Sequence, residues 1–175
     1  MNLGEALSLI RPIPDYPKPG ILFQDITPVL ANGEAFNIVT KELSSFSQPE
    51  VVIAGIEARG FIFASAVAHS VGHGFVPIRK SGKLPFTRIS QSYGLEYGED
   101  VLEIHSDAIS IGQKVLLIDD VLATGGTIEA AISLIHALGG QVYQILSILE
   151  IASLNGRQRL QAIHPDIPIT SLVIS

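Results

Sequence analysis

Residues 115–127 read Val-Leu-Leu-Ile-Asp-Asp-Val-Leu-Ala-Thr-Gly-Gly-Thr. The apolar run at the start of this stretch is typical of a β-strand buried on both faces, as in a parallel sheet. Asp119 and Asp120 come at the carboxyl end of this strand, where open α/β sheets bind their ligands. A short turn, residues 124–127, then opens a helix. This strand–turn–helix stretch predicts an α/β fold and places a candidate site within it.

The turn carries groups that suit an anion. Free backbone amides at a helix start bind phosphate, and Thr124 and Thr127 add two hydroxyl donors. Gly125 and Gly126 allow the backbone to approach a ligand closely. The two carboxylates repel phosphate but accept hydrogen bonds from sugar hydroxyls, so the stretch indicates a ribose 5-phosphate site. It is not a Walker A loop, because no Lys-Ser/Thr closes it. A capped helix after an Asp-rich turn is the structural alternative.

Strands and helices alternate along most of the chain. Apolar runs predict strands at 50–54, 75–78, 101–105, 115–118, 142–151 and 169–174, and helical spacing predicts helices after Asn32, at 61–71 and at 128–138. Such alternation is typical of an open, mainly parallel sheet flanked by helices. Residues 81–99 fit neither period and predict a long loop, which is uncommon in a compact domain unless the loop is functional.

The first thirty residues differ from the rest. Prolines at positions 12, 14, 17, 19 and 28 argue against an ordinary helix or a central strand there. Only residues 3–10 are left for a short helix. The apolar cluster Ile21, Leu22 and Phe23 is uncommon in a disordered tail. Residues 11–30 are therefore predicted to form an ordered, extended segment that covers another part of the protein.

Composition narrows the class of protein. The chain has 175 residues, which suits one domain, and a formal net charge of −6, which argues against a nucleic-acid or anionic-membrane surface. The absence of cysteine excludes disulfides and thiolate chemistry. No apolar run reaches the ~18 residues of a membrane helix, and the N-terminus lacks a signal-peptide pattern, so a cytoplasmic protein is expected. Charged residues are only 16%, which indicates that a second subunit covers part of the surface.

Four further segments, Asp15–Phe23, Glu57–Phe61, Arg79–Pro85 and Ser92–Gly98, lie in order along the chain. Together with residues 115–127 they resemble the adenine phosphoribosyltransferase family of the type I phosphoribosyltransferases. The resemblance implies one structural domain: a core over residues 31–175 with a flexible catalytic flap at 81–99, and an N-terminal hood, residues 1–30, over the base site. It also implies a purine-salvage enzyme that makes AMP and pyrophosphate from adenine and 5-phosphoribosyl 1-pyrophosphate.

The same resemblance assigns roles to single residues. Arg59, which grips pyrophosphate, and Glu96, which faces the purine N7, are the catalytic candidates, and Tyr97 belongs to the flap. The candidates for binding phosphoribosyl pyrophosphate are Asp119, Asp120, Ala123, Thr124, Gly125, Gly126, Thr127, Arg59, Arg79, Lys80 and Lys83. The adenine candidates are Leu22, Phe23 and Gln24, with Phe23 as the stacking platform. The resemblance further implies a cis peptide bond between Glu57 and Ala58.

Ordinary alternatives exist for several of these residues. Apart from the family resemblance, Arg59 could equally be a surface arginine at a helix start, and Phe23 an ordinary buried phenylalanine. The chain also departs from the family pattern at three positions. Gln24 stands where many relatives have arginine, and Phe86 and Thr87 stand where charged residues are common. These departures concern the charge of the base site and the contacts that close the flap.

The resemblance implies Mg²⁺ and a homodimer. The metal is expected to be held mainly by substrate and water, so no metal site is predicted in the protein itself. His69 and His73 have the spacing of a helical metal pair, but Gly72 intervenes and no third ligand is evident. Two other functions stay open: a transferase of the same fold for xanthine or hypoxanthine, and a non-catalytic sensor of phosphoribosyl pyrophosphate. Such a regulator would usually need a DNA-binding segment or a basic face, and neither is visible.

Overall fold

The computed structural model describes residues 1–95 and 98–175. They form two compact units, Met1–Phe46 and Ser47–Ser175. Among the described residues, no helix combines the length and the apolar character that crossing a membrane requires.

The first unit contains helices α1 (Leu3–Leu7), α2 (Thr27–Ala31) and α3 (Gly33–Ser44), and strands β1 (Arg11–Ile13) and β2 (Phe23–Asp25), which pair antiparallel. α3 begins after its predicted cap, since the side chain of Asn32 accepts a hydrogen bond from the N–H of Ala35 at 3.0 Å. The extended segment predicted for residues 11–30 contains the two strands but is wrong at its end, where α2 begins. Pro28 is tolerated there because the first turn of a helix does not use its N–H groups within the helix.

The second unit contains most of the regular structure. In chain order its elements are β3 (Val52–Ile56), α4 (Gly60–Val71), β4 (Phe75–Lys80), β5 (Arg88–Leu95), β6 (Gly98–His105), β7 (Lys114–Leu122), α5 (Gly126–Ala137), β8 (Gln141–Glu150), a 3₁₀ turn (Ala152–Leu154), α6 (Gly156–Ile163) and β9 (Ile169–Ile174).

Within the described part of this unit, the strands form one sheet in the order β5-β6-β4-β3-β7-β8-β9. Five neighbouring strands of this sheet are parallel: β4, β3, β7, β8 and β9. β6 and β5 add an antiparallel edge beside β4. The prediction of a mainly parallel sheet flanked by helices is therefore confirmed. α4 packs against β3 and β7, and α5 packs against β5, β6, β7 and β8. β3 is buried at every position, as expected for a strand covered on both faces.

Two local predictions are wrong, and one helix, α6, was not predicted. Residues 88–95 form strand β5, not part of a loop. The sequence did not show this strand because it lies at the sheet edge. Among residues 88–94 only Ile89 and Tyr93 are not exposed, too few for an apolar alternation. α6 also lacks an apolar pattern, since only Gly156 and Leu160 are buried in it. β7 does not end at its apolar run but continues to Leu122, so the acidic pair lies within the strand.

Candidate active site

The candidate site lies where the strand order of the sheet reverses. From β3 the chain crosses through α4 to β4, and from β7 it crosses through α5 to β8 on the opposite side. The carboxyl ends of the neighbouring strands β3 and β7 therefore border a crevice, which is where open α/β sheets bind ligands. The loop after β3 carries Arg59, and β7 carries the acidic pair.

Asp119 and Asp120 lie just beyond the point where β7 stops pairing with β3. The pairing with β3 ends at Ile118, whereas the pairing with β8 continues to Leu122. Both carboxylates are buried, at 9% and 5% exposure, and the N–H of Asp120 donates to Oδ1 of Asp119 at 2.9 Å. Burial raises the pKa of both, with the charge of Asp120 adding to the rise at Asp119 and the charge of Arg59 opposing the rise at Asp120.

Arg59 reaches this pair from the turn between β3 and α4. Its Nε lies 2.8 Å from Oδ2 of Asp120, although the arginine side chain is 38% exposed. The start of α4 also lies close to the acidic pair, because a Cβ at Gly60 would be 2.9 Å from Oδ1 of Asp119. The Glu57–Ala58 bond is cis, as the resemblance implies. The fold thus brings the arginine of the turn after β3 to the two carboxylates of β7.

The predicted phosphate turn follows directly from β7. Residues 123–125 lead into α5, and Gly125 has φ of +82°, in the left-handed region that favours glycine. A cavity of ≈ 40 Å³ is lined by Val121, Ala123, Thr124, Gly125, Thr127 and Ile128. The free amides of the first turn of α5 and the two threonine hydroxyls suit a small anion such as phosphate.

Of the three cations at positions 79–83 predicted to bind phosphoribosyl pyrophosphate, Arg79 and Lys80 pair with carboxylates in this structure. Arg79 donates to both carboxylate oxygens of Glu57, at 3.1 and 3.3 Å, which places it beside the loop after β3. Burial alone would raise the pKa of Glu57, but hydrogen bonds from the N–H of Lys80 and from Arg79 outweigh burial and lower it. Lys80 pairs through Nζ with Asp100. Lys83 is exposed, and its carbonyl accepts a hydrogen bond from Nη1 of Arg79 at 3.2 Å.

The hairpin of β5 and β6 lies against the start of α5, since a Cβ at Gly126 would be 3.5 Å from the carbonyl oxygen of Gly94. Tyr93, which sequence analysis does not single out, is buried and donates its hydroxyl to Oδ2 of Asp100 at 3.1 Å. Burial raises the pKa of Tyr93, and a hydrogen bond with Thr127 opposes that rise. Tyr93 therefore links the hairpin to the phosphate turn.

Glu96 and Tyr97, to which the resemblance gives a catalytic role and a place in the flap, lie outside the described residues.

The three adenine candidates belong to the first unit. Phe23 and Gln24 are half-buried residues of β2, and Leu22, just before the strand, is 53% exposed. The ring of Tyr16 meets that of Phe23 edge-on, with centroids 5.2 Å apart. The strand is anchored at its end, because Asp25 pairs with a guanidinium from β1 at 2.6 Å.

The phosphate turn has a neighbour that sequence analysis does not identify. Gly156, the first residue of α6, packs so closely on the turn that a Cβ there would lie 2.1 Å from the carbonyl oxygen of Ala123. The only local signal is the Asn155-Gly156 pair, which is typical of a tight turn. Its contact with Ala123 depends on tertiary structure.

No group of three or more metal-ligating side chains occurs within residues 1–95 and 98–175. The two histidines with helical spacing are separated by the end of α4, where Gly72 has φ of +71°. Nδ1 of His73 lies 3.3 Å from Oγ of Ser47, a polar contact between two protein side chains.

Comparisons with known proteins agree with this geometry. Residues 29–166 match the family model described as a phosphoribosyl transferase domain. The adenine phosphoribosyltransferase of Parvibaculum lavamentivorans is 55% identical over 170 residues, which cover 96% of this chain and 96% of that protein.

Solved structures extend the likeness to the whole fold. The adenine phosphoribosyltransferase of Thermoanaerobacter pseudethanolicus superposes with a TM-score of 0.93 at 46% identity, covering 99% of this chain and 100% of that one. The Saccharomyces cerevisiae enzyme, solved with adenine and D-2,5-dideoxy-2,5-imino-altritol 1,6-bisphosphate, gives a TM-score of 0.88 at 33% identity, covering 97% of both chains. Because the matched residues contain the acidic pair, the phosphate turn and Arg59, and extend over nearly the full length, the chain belongs to the adenine phosphoribosyltransferase family.

Proposed function

We propose that this protein transfers the phosphoribosyl group of 5-phosphoribosyl 1-pyrophosphate to adenine, producing AMP and pyrophosphate in purine salvage. The bond between ribose C1 and the pyrophosphate oxygen breaks, and its electron pair leaves with pyrophosphate. Adenine N9 forms the new bond to C1 and loses its proton to the solvent. The observation that carries the proposal is the junction of Arg59 with Asp120, 2.8 Å apart, at the end of the strand that leads into the phosphate turn.

Each part of this junction suits a different part of the donor substrate. The turn amides and threonine hydroxyls bind the 5-phosphate. Asp119 and Asp120 accept charge-assisted hydrogen bonds from the ribose hydroxyls. The planar guanidinium of Arg59 binds the pyrophosphate, whose departure leaves positive charge on the ribose. Positioning of the donor and electrostatic stabilisation of this charge are the contributions that the residues make to the rate.

The cations at positions 79–83 extend the pyrophosphate site in this proposal. Arg79 and Lys80 are held by Glu57 and Asp100. Binding of pyrophosphate at these cations therefore requires that the carboxylates share or release them. This part of the site thus depends on the position of the hairpin that carries Asp100.

On the acceptor side we assign adenine to the hood. Phe23 supplies an aromatic ring for stacking, and the backbone of Leu22 and Gln24 supplies hydrogen bonds that select the base. Glu96 acts at the purine N7 as an acid or as a hydrogen-bonding group, and Tyr97 belongs to the flap that excludes water. The support for these roles is the family resemblance of residues 15–23 and 92–98.

We propose Mg²⁺ as the cofactor, and the acidic pair fits it as an indirect ligand. Mg²⁺ prefers oxygen ligands and usually keeps several waters besides substrate phosphates, so it does not need a cage of protein side chains. Asp119 and Asp120 would hold it through water, and when bound it neutralises charge on the pyrophosphate. Addition of a chelator should abolish turnover, and Mg²⁺ should restore it.

We also propose that the protein acts as a cytoplasmic homodimer. A charged fraction of only 16% supports a covered surface, and the absence of cysteine suits a reducing compartment.

One assay tests the function directly. Purified protein is incubated with phosphoribosyl pyrophosphate, Mg²⁺ and one of adenine, hypoxanthine, xanthine or guanine, and nucleotide and pyrophosphate are quantified. We expect equal amounts of AMP and pyrophosphate with adenine and little product with the other bases. Asp119→Asn/Asp120→Asn, which removes both carboxylate charges but keeps the side-chain shape, serves as the site control and should lose most of the activity.

Preferred turnover of hypoxanthine or xanthine would instead establish the other-purine transferase. Binding of phosphoribosyl pyrophosphate without product from any base would indicate the non-catalytic sensor.

A further inference from the structure

The phosphate turn rests on a backbone surface that has no room for a side chain. Besides the 2.1 Å approach to the oxygen of Ala123, a Cβ at Gly156 would lie 2.9 Å from the nitrogen of Gly125. The fit is mutual, because a Cβ at Gly125 would lie 3.0 Å from the oxygen of Gly156 and 3.2 Å from Cγ of Leu160. The gaps at Gly156 are below the contacts that real Cβ atoms make, so a methyl group there forces backbone to move, whereas those at Gly125 are tighter than most such contacts.

The helix under the turn is held by β8 and β9, by the core and, more weakly, by α5. Arg157, its second residue, donates from Nε to both oxygens of the buried Glu150 on β8, at 2.9 and 3.0 Å, and from Nη1 to the carbonyl of Ile169 on β9 at 2.7 Å. Leu160 is fully buried in the core. Arg159 pairs with Glu129 of α5 at 2.7 Å. A methyl group at Gly156 should therefore displace the turn rather than α6.

The segment before α6 is tied to the same strand as the turn. The N–H of Ile151 donates to the carbonyl of Leu122, the last residue of β7, at 2.9 Å. Asn155 then reverses the chain with φ of +57° and delivers Gly156 beneath residues 123–125. The turn is thus supported on one side by its own helix, α5, and on the other by the start of α6.

We propose that Gly156 is a positioning residue for the phosphate-binding turn, and that the start of α6 holds the turn in the geometry that binds the 5-phosphate of phosphoribosyl pyrophosphate. The inference rests on the proposed function for the identity of the ligand. Gly156 acts on the substrate only indirectly, through the backbone of Ala123 and Gly125. A misplacement of about 1 Å in a binding group can cost about 10²-fold in rate or affinity.

The test compares Gly156→Ala with a matched control, Gly140→Ala. A Cβ at Gly140 would lie 2.6 Å from Cγ2 of Ile109 and 3.2 Å from the oxygen of Ile135, so the substitution also creates a core clash. It does so beyond the opposite end of α5. For each protein the KM of phosphoribosyl pyrophosphate, the KM of adenine, kcat, the Kd of ribose 5-phosphate by calorimetry and the thermal unfolding midpoint are measured.

We expect Gly156→Ala to raise the KM of phosphoribosyl pyrophosphate and the Kd of ribose 5-phosphate at least about tenfold, with the KM of adenine within about twofold of wild type. Gly140→Ala should lower the unfolding midpoint but leave both sugar-phosphate constants within about twofold. A folded Gly156→Ala protein with wild-type constants, or equal losses in both variants, would overturn the inference.

If Gly156→Ala does not fold, Arg157→Lys decides, since it keeps the charge but loses the fork that anchors α6. A rise in the Kd of ribose 5-phosphate supports the positioning role, and a wild-type Kd overturns it. Failure of the proposed function is separately visible, because wild-type protein would then bind ribose 5-phosphate without making AMP from adenine.

Discussion

The Nε of Arg59 lies 2.8 Å from Oδ2 of Asp120, and this pair joins the loop after β3 to the end of β7. The contact crosses the reversal point of the sheet, so it ties together the two halves of the candidate site. It also offsets part of the cost of burying Asp120, whereas Asp119 is buried beside a like charge. The two neighbouring aspartates are therefore electrostatically different.

The first prediction is a trade-off at Asp119. Because burial and the neighbouring charge of Asp120 raise its pKa above the ordinary 3.8, ionisation of Asp119 opposes folding. Asp119→Asn should raise the free energy of unfolding at pH 7 by about 0.5–2 kcal/mol, the usual size of a stabilising change at a functional site. It should also weaken binding of phosphoribosyl pyrophosphate by about 1.5–3 kcal/mol, one charge-assisted hydrogen bond. Urea unfolding and calorimetry measure the two effects.

The sign of the pH dependence provides the check. A raised folded-state pKa contributes stability below the ordinary pKa and loses it as pH rises, so the advantage of Asp119→Asn should shrink as pH falls toward 4. Asp120→Asn is the control and should gain less stability, because it also removes the partner of Arg59. An equal gain in both variants would contradict the electrostatic difference.

The second prediction separates catalysis from binding at Glu96. Glu96→Gln keeps the shape but removes the charge and the exchangeable proton. We expect kcat and kcat/KM to fall together by about 10²-fold, the lower part of the range for a general acid or base, while affinity for phosphoribosyl pyrophosphate stays constant. Steady-state kinetics and calorimetry decide. Wild-type turnover under saturating substrates would remove Glu96 from the chemistry.

The third prediction contrasts two arginines of α6. Glu150 is 5% exposed, and Arg157→Met leaves its charge buried without its guanidinium partner, which should cost about 3–5 kcal/mol. Arg159 pairs with Glu129 where both side chains are more exposed, at 50% and 28%, so Arg159→Met should cost less than about 1 kcal/mol. Urea unfolding at pH 7 compares the two variants. Similar losses would show that the pair at Glu150 is not a special anchor.

The fourth prediction concerns acid stability of the first unit. The guanidinium of Arg11, followed by the N–H and hydroxyl of Thr27, lowers the pKa of Asp25 from 3.8 to about 2. A lowered folded-state pKa contributes stability above the ordinary pKa and loses it as pH falls, here between about 4 and 2. Asp25→Asn should therefore lower the thermal midpoint at pH 7, and the gap to wild type should close over that range.

Arg11→Met is the matched variant for this prediction, because it removes the largest cause of the shift. It should weaken the same pH dependence while leaving the carboxylate in place. A gap between wild type and Asp25→Asn that stays constant from pH 7 to pH 3 would refute the assignment.

The fifth prediction concerns assembly. If a second subunit covers part of the surface, light scattering at micromolar concentration should give a mass near twice that of the chain. A strictly monomeric protein with full activity would refute the shared surface.

Local patterns predicted much of this protein. The apolar run before Asp119, the glycine turn and the helical spacing after Asn32 gave the strand, turn and helices in the right order, because backbone preference and burial act over a few residues. Elements with few buried residues could not be predicted from such patterns. β5 lies at the sheet edge with Ile89 and Tyr93 as its inward residues, and α6 buries little besides Leu160.

The sequence by itself determined the alternating α/β pattern, the phosphate turn with its acidic pair, and the family to which these motifs belong. Only the tertiary structure decided that Arg59 meets Asp120, and that Gly156 supports the backbone at Ala123. These contacts depend on the order of β3, β7 and β8 in the sheet and on how closely backbones approach across it. Sheet order is set by the packing of the whole core, which no short stretch of residues records.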